Sequence, residues 1–142
     1  MTIVIEDGTV VTGGNSFVTT AEFDTYLTDR GYTAIASPEP PLIRAFDYMA
    51  VLPWCDPHDE AYTVTDGMKL AQMDIAFQIN AGFNPAAVRD SQTVKREKVD
   101  VIEQEYFSGG NYYDSYDILK RLPFAYSLID SLLCPTVLLE RA

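Results

Sequence analysis

The chain has 142 residues, 47% of them apolar, which fits one globular domain able to bury roughly 68% of the surface its unfolded form exposes. Ten basic against twenty-one acidic side chains give a net charge of −11, which opposes broad binding to duplex nucleic acid or to anionic membranes. No apolar run approaches the ~20 residues of a membrane span, and the start carries Glu6 and Asp7 where a secretory leader needs a basic and then an apolar stretch. These features predict an intracellular protein whose Cys55 and Cys134 are reduced, buried thiols.

In chain order, Asp7-Gly8 between Ile3, Val4, Ile5 and Val10, Val11 predicts a short hairpin in an N-terminal extended segment, because a primed turn needs positive φ. Thr19 with Glu22 forms a capping box. Phe23, Tyr26 and Leu27 then follow at helical spacing and Gly31 supplies a stop, so a first helix is expected over about 20–30. Pro41 suits the first helical position, and Leu42, Ala45, Phe46, Met49 and Ala50 share one face of a second helix that Pro53 ends. Residues 54–62 carry Pro57 and three acids, Asp56, Asp59 and Glu60, and read as a solvated acidic loop. A third helix, from Thr65 or Asp66 to about Ala81, has an apolar face wide enough for the centre of the fold.

The stretch 92–107 is rich in β-branched and charged residues and predicts a hairpin arm. With Val99 and Asp100 as its turn, Arg96 faces Glu103 and Val94 faces Glu105; a charged helix is the rival reading. Residues 108–114 form a Gly- and Tyr-rich loop. Pro123 opens a last helix with Phe124, Leu128, Ile129, Leu132 and Leu133 inward, and Pro135 breaks it, leaving a tail over 136–142. The expected fold is thus mainly α. It is one domain over 1–142: a small four-helix bundle with a short N-terminal extended segment and a protruding β-hairpin or extended arm.

Charge divides along this plan. Residues 1–88 hold three basic and twelve acidic side chains, residues 89–98 hold four and two, and residues 99–142 hold three and seven. The basic island has three readings. Lys95, Arg96 and Lys98 beside Tyr106, Tyr112 and Tyr113 offer cations and stacking rings to single-stranded nucleic acid. Alternatively they pair across the hairpin with Glu97, Glu103 and Glu105, or they meet an acidic neighbour. Val137, Leu138 and Leu139 either fold back on the bundle or insert into a partner, and the tyrosine loop supplies either core plugs or interface anchors.

Catalytic groups are scarce. The sole histidine, His58, lies in Cys55-Asp-Pro-His58-Asp-Glu60, which supplies half of a zinc set and lacks the regular oxygen spacing of a calcium loop. The glycine pairs Gly13-Gly14 and Gly109-Gly110 have no Lys-Ser or Lys-Thr after them. No nucleophile, base and oxyanion donor stand together, so a protein without catalysis, metal or cofactor is expected.

The order of elements nevertheless resembles a known family. Ile5-Glu-Asp-Gly8, Asn15-Ser-Phe-Val18 before a capped helix, Leu42-Ile-Arg-Ala-Phe-Asp-Tyr48, Val94-Lys-Arg-Glu-Lys-Val99 and Ile129-Asp-Ser-Leu-Leu133 carry the resemblance. The family is encoded in tailed phages and prophages. Its members are labelled DnaT-like single-stranded DNA-binding proteins, while their helical plan looks like that of head-to-tail connector (adaptor) proteins. The connector form of the resemblance implies a twelve-fold ring of this chain in the virion neck, assembled in the host cytoplasm. It would dock on the portal protein, join a downstream tail or stopper component, and let DNA pass without specific binding. Its interface would use Lys95, Arg96, Lys98, Glu103, Glu105, Tyr106, Tyr112, Tyr113, Val137, Leu138 and Leu139, since ring subunits need heterologous contacts. The alternative implied by the family's label is a single-stranded DNA-binding protein acting in phage replication.

Overall fold

The computed structural model describes residues 2–56, 58, 60–85, 96–99, 102–105 and 121–134. These form four α-helices and one strand pair: α1 Thr20–Asp29, α2 Glu39–Ala50, α3 Asp66–Asn80, β1 Arg96–Val99, β2 Ile102–Glu105 and α4 Pro123–Ile129, followed by a 3-10 turn at Asp130–Leu132. The described part is mainly helical, in agreement with the composition.

The capping chemistry of α1 is realised. The Thr19 hydroxyl oxygen accepts the Glu22 N–H at 3.1 Å while the Glu22 carboxylate accepts the Thr19 N–H at 2.7 Å, satisfying two donors that a helix start leaves orphaned. α2 begins at Glu39, two residues before the expected Pro41, because consecutive prolines fit a first turn whose N–H groups have no helical partner. In α3 the Thr65 hydroxyl oxygen accepts the Met68 N–H at 3.2 Å.

α3 packs against both α2 and α4, and Met68, Ala71, Ile75, Ala76 and Ile79 are buried along it. α1 adds Phe23, Tyr26 and Leu27 to the same core. At Gly67 a Cβ would meet the Leu128 carbonyl oxygen at 2.6 Å, so the missing side chain sets how closely α4 approaches the first turn of α3. α4 buries Ala125 and Ile129, and Leu122 before it and Leu133 after the 3-10 turn are buried as well. Phe124 is 51% exposed, contrary to the inward face expected for it. The buried positions are spaced by three and four residues, and position 124 lies about one helical step off that stripe.

The N-terminal hairpin does not form. Ile5 instead bridges Ser16 in parallel, with Glu6 N–H donating to the Ser16 carbonyl and Asn15 N–H to the Val4 carbonyl, both at 2.8 Å. The reason lies in Glu6. Its buried carboxylate accepts the N–H groups of Gly8, Val10 and Val11 at 2.8, 3.1 and 2.9 Å, so the donors that a hairpin ladder would use are already taken. Gly8 at φ +100 and Val10 at φ +61 both take up the turn.

Cys55 and Cys134 form a disulfide with a Cα–Cα distance of 4.7 Å, and both residues are exposed. The expectation of buried thiols is therefore wrong. A two-sided bridge sets the geometry: Trp54 pairs antiparallel with Leu133, Cys55 N–H donates to the Leu132 carbonyl at 3.0 Å and Cys134 N–H to the Pro53 carbonyl at 2.8 Å. Two segments 79 residues apart in sequence thus place their cysteines within bridging reach, which no local pattern announces.

β1 and β2 pair antiparallel with Arg96 opposite Glu105, Lys98 opposite Glu103 and Val99 opposite Ile102. The expected register, Arg96 opposite Glu103, is off by two residues. The observed one sets two cations opposite two carboxylates and joins the apolar positions, whereas the expected one would put Val94 opposite Glu105.

Candidate nucleic-acid interface

Arginines and aromatic rings gather along the C-terminal half of α3. The Arg30 guanidinium, just past α1, lies 4.0 Å from the centroid of the Tyr26 ring. Tyr26 is 6.5 Å from Tyr32, and Tyr32 stacks on Phe77 of α3 at 4.2 Å with an interplanar angle of 11°. Tyr32 is 41% exposed. Beyond the helix end, the Arg121 guanidinium lies 4.6 Å from the Phe83 ring centroid and donates to the Asn84 carbonyl at 3.0 Å; Arg44 donates to Asn84 Oδ1 at 3.4 Å. The last carbonyls of a helix carry partial negative charge, so arginine heads are favoured at this end.

Asp74, close enough to Arg30 to feel its charge, is buried on α3. Burial pushes its carboxyl pKa up, opposed by hydrogen bonds from Gln78 and Tyr26 and by the charge of Arg30. The Tyr26 hydroxyl is pushed up to about 12, first by burial and then by Asp74. The Asp74 carboxylate thus ties α3 to the Tyr26 ring of α1 and to the Arg30 guanidinium just past it.

A second aromatic group sits in the loop between α2 and α3. The rings of Trp54, His58 and Tyr62 form a file, with centroids 4.8 Å and 3.9 Å apart and the His58–Tyr62 pair at an interplanar angle of 4°. Trp54 is anchored by donation from its indole N–H to the Met49 carbonyl at 2.8 Å, and Tyr62 by its N–H to the Gly8 carbonyl at 2.8 Å. Burial lowers the His58 pKa, with Asp56 and Glu6 acting in the opposite sense. Burial, then Glu6 and Asp7, raise the Tyr62 hydroxyl to about 12. Among the described residues of this loop Asp56 and Glu60 are exposed, as a solvated acidic loop has them, while the three rings beside them are half-buried. Among the described residues no group of three His, Cys, Asp or Glu side chains is placed to hold a metal ion.

Of the residues singled out in the sequence, Arg96, Lys98, Glu103 and Glu105 lie on the paired strands, each cation opposite a carboxylate. Lys95, Tyr106, Tyr112, Tyr113, Val137, Leu138 and Leu139 lie outside the described residues. The arginine–ring pairs were missed, although Tyr26 and Arg30 stand four apart on one helical face, a spacing that brings side chains together. The file of rings had no such signal, because the loop backbone follows no regular period.

The family model described as "Putative DnaT-like ssDNA binding protein" matches the chain over residues 1–58 and 57–141. The chain belongs to this family. Membership overturns the connector function drawn from the resemblance: the match is to DnaT-like single-stranded DNA-binding proteins, and nothing in it supports a ring beneath a portal. The features that suggested a connector, an acidic surface and an apolar tail, are common to many small helical domains and decide nothing on their own. No curated protein and no solved structure matches the chain.

Proposed function

We propose that the protein binds single-stranded DNA and performs no catalysis on it. Family membership across both halves of the chain carries this reading. The arrangement of Arg30, Arg44 and Arg121 around Tyr26, Tyr32, Phe77 and Phe83 supports it, because single strands are held by cations that track phosphates and by rings on which bases stack. The net charge of −11 then limits contact to a short local patch and disfavours a long phosphate-tracking groove. In this reading the paired strands act as an arm whose cations are balanced by the carboxylates opposite them, so they add little to phosphate binding.

Three arginines predict a shallow salt dependence. Log affinity should fall with log salt at a slope of about −2, since each phosphate contact on a single strand contributes about −0.7. Fluorescence anisotropy of a labelled oligonucleotide across a salt series measures this slope. Replacing Arg30 and Arg44 with serine should reduce the slope to about −0.7. No binding of labelled single strands at low salt overturns the reading, and a slope left unchanged by the two serine substitutions removes these arginines from the interface.

A further inference from the structure

The file of rings also lines a cleft. Trp54, His58, Tyr62, Asp56, Thr65 and Ser131 stand around a space of about 200 Å³. Clefts for drug-sized ligands run roughly 300–1,000 Å³, so this one suits a single planar ring system. Because the three rings stack on one another, they turn edges to the cleft, beside hydroxyls and one carboxylate. The buried Met68 thioether adds a polarizable surface of the kind that favours aromatic rings. Described cations are absent from the lining, and Glu6 and Asp56 are close enough to act on His58. A phosphate is therefore disfavoured here. A heteroaromatic ring with amino donors on its edge is favoured, because a carboxylate only accepts hydrogen bonds.

We propose that this cleft takes one unstacked nucleobase of the bound strand, with its face across the edges of the Trp54–His58–Tyr62 file and its amino edge towards Asp56, favouring cytosine and adenine over thymine. The inference rests on the single-stranded DNA reading and assigns the base-reading part of it to a place separate from the arginine patch. Cytosine N4 and adenine N6 are amino donors that a carboxylate accepts, whereas thymine presents a carbonyl and a methyl group at the equivalent edge. The ring edges supply edge-to-face contact, which tolerates any base; Asp56 supplies the preference.

Trp54 is the only tryptophan, so its fluorescence reports on this cleft alone. The full-length protein is titrated with deoxycytidine, deoxyadenosine, thymidine and deoxyribose 5-phosphate, and separately with labelled oligo-dC and oligo-dT followed by anisotropy. The expected result is saturable quenching by deoxycytidine and deoxyadenosine, weak quenching by thymidine and none by the sugar phosphate. Tyr62→Ala should weaken the nucleoside response roughly 2- to 10-fold, the range that loss of one edge-to-face aromatic contact gives, and Tyr62→Phe should restore it. Asp56→Asn, at an exposed position, should abolish the preference over thymidine while leaving the fold intact. Absence of saturable quenching by every nucleoside, or equal quenching by all three, overturns the cleft. Strand binding seen by anisotropy with no Trp54 response also overturns the cleft and leaves the DNA-binding reading standing. Nucleoside quenching without strand binding does the reverse.

Discussion

Gln72 Oε1 accepts the backbone N–H of Phe17 at 2.8 Å from inside the core, across 55 residues of sequence. The same amide donates to Ser16 Oγ and to the Leu42 carbonyl, each at 2.9 Å. One fully buried side chain thereby ties α3 to α2 and to the segment that leads into α1. Replacing Gln72 with leucine leaves the buried Phe17 N–H without its partner, at a cost of about 1–3 kcal/mol, while the Leu42 carbonyl keeps its place in the helical ladder of α2. Urea unfolding of Gln72→Leu should therefore show a loss of about 1–3 kcal/mol, although leucine is the more apolar residue. An unchanged midpoint would mean that the network contributes nothing net.

Gly8 and Gly13 should respond differently to alanine, although both have positive φ. At Gly8 a Cβ would run into the carbonyl oxygen of Tyr62; at Gly13 it meets nothing within 4 Å. Gly13→Ala then costs only the left-handed backbone, about 1–2 kcal/mol. Gly8→Ala adds displacement of Tyr62 and should cost clearly more, with a loosened Trp54 environment visible in fluorescence. Equal melting temperatures for the two variants would contradict the close approach.

The disulfide closes a long loop, and in the chain-entropy account such a link stabilises by about 4–5 kcal/mol, with observed values commonly about 2–4 kcal/mol. Thermal melts with and without reductant should differ accordingly. A Cys55→Ser, Cys134→Ser double variant should melt like the reduced protein and ignore the reductant. Identical melts of oxidised and reduced wild type would show that the Trp54–Leu133 bridge holds without the covalent link.

His58 has its pKa below the ordinary 6.5 because its ring is partly buried. Its unfolded form therefore binds the proton more readily than the folded form. The stability it contributes is present above pH 6.5 and is lost as the pH falls from there through the folded pKa. His58→Phe keeps a ring in the file and removes the titration. Wild type should thus lose stability relative to His58→Phe on acidification below 6.5, measured by denaturant midpoints at matched pH. A constant difference between the two would remove His58 from the acid response.

The helices were legible because their start signals act locally: Thr19 and Glu22, Thr65, and the prolines of α2 and α4 each satisfy or avoid orphan N–H groups within a few residues. The central place of α3 followed from the width of its apolar face. The N-terminal turn was misread because Asp7-Gly8 looks the same whether its neighbours pair across strands or donate to Glu6; only the burial of that carboxylate decides. The disulfide and the ring file were illegible for a related reason, since each joins residues that a loop brings together without any periodic pattern. The arginine patch lies between these cases: Tyr26 and Arg30 share a helical face, but Arg44 and Arg121 meet Asn84 only through the tertiary fold.

The cystine also changes the connectivity of the molecule. With Cys55 joined to Cys134, α3, both strands and α4 lie inside a covalent circle, while α1 and α2 hang outside it. A single protease cut anywhere within that circle leaves the polypeptide in one covalent piece, heavier only by the water added, until a reductant is present. A cut between α1 and α2 releases a fragment at once. The two halves of the chain are therefore unequal in how they can be separated, and a gel run with and without reductant reads out which side of Cys55 a protease has entered.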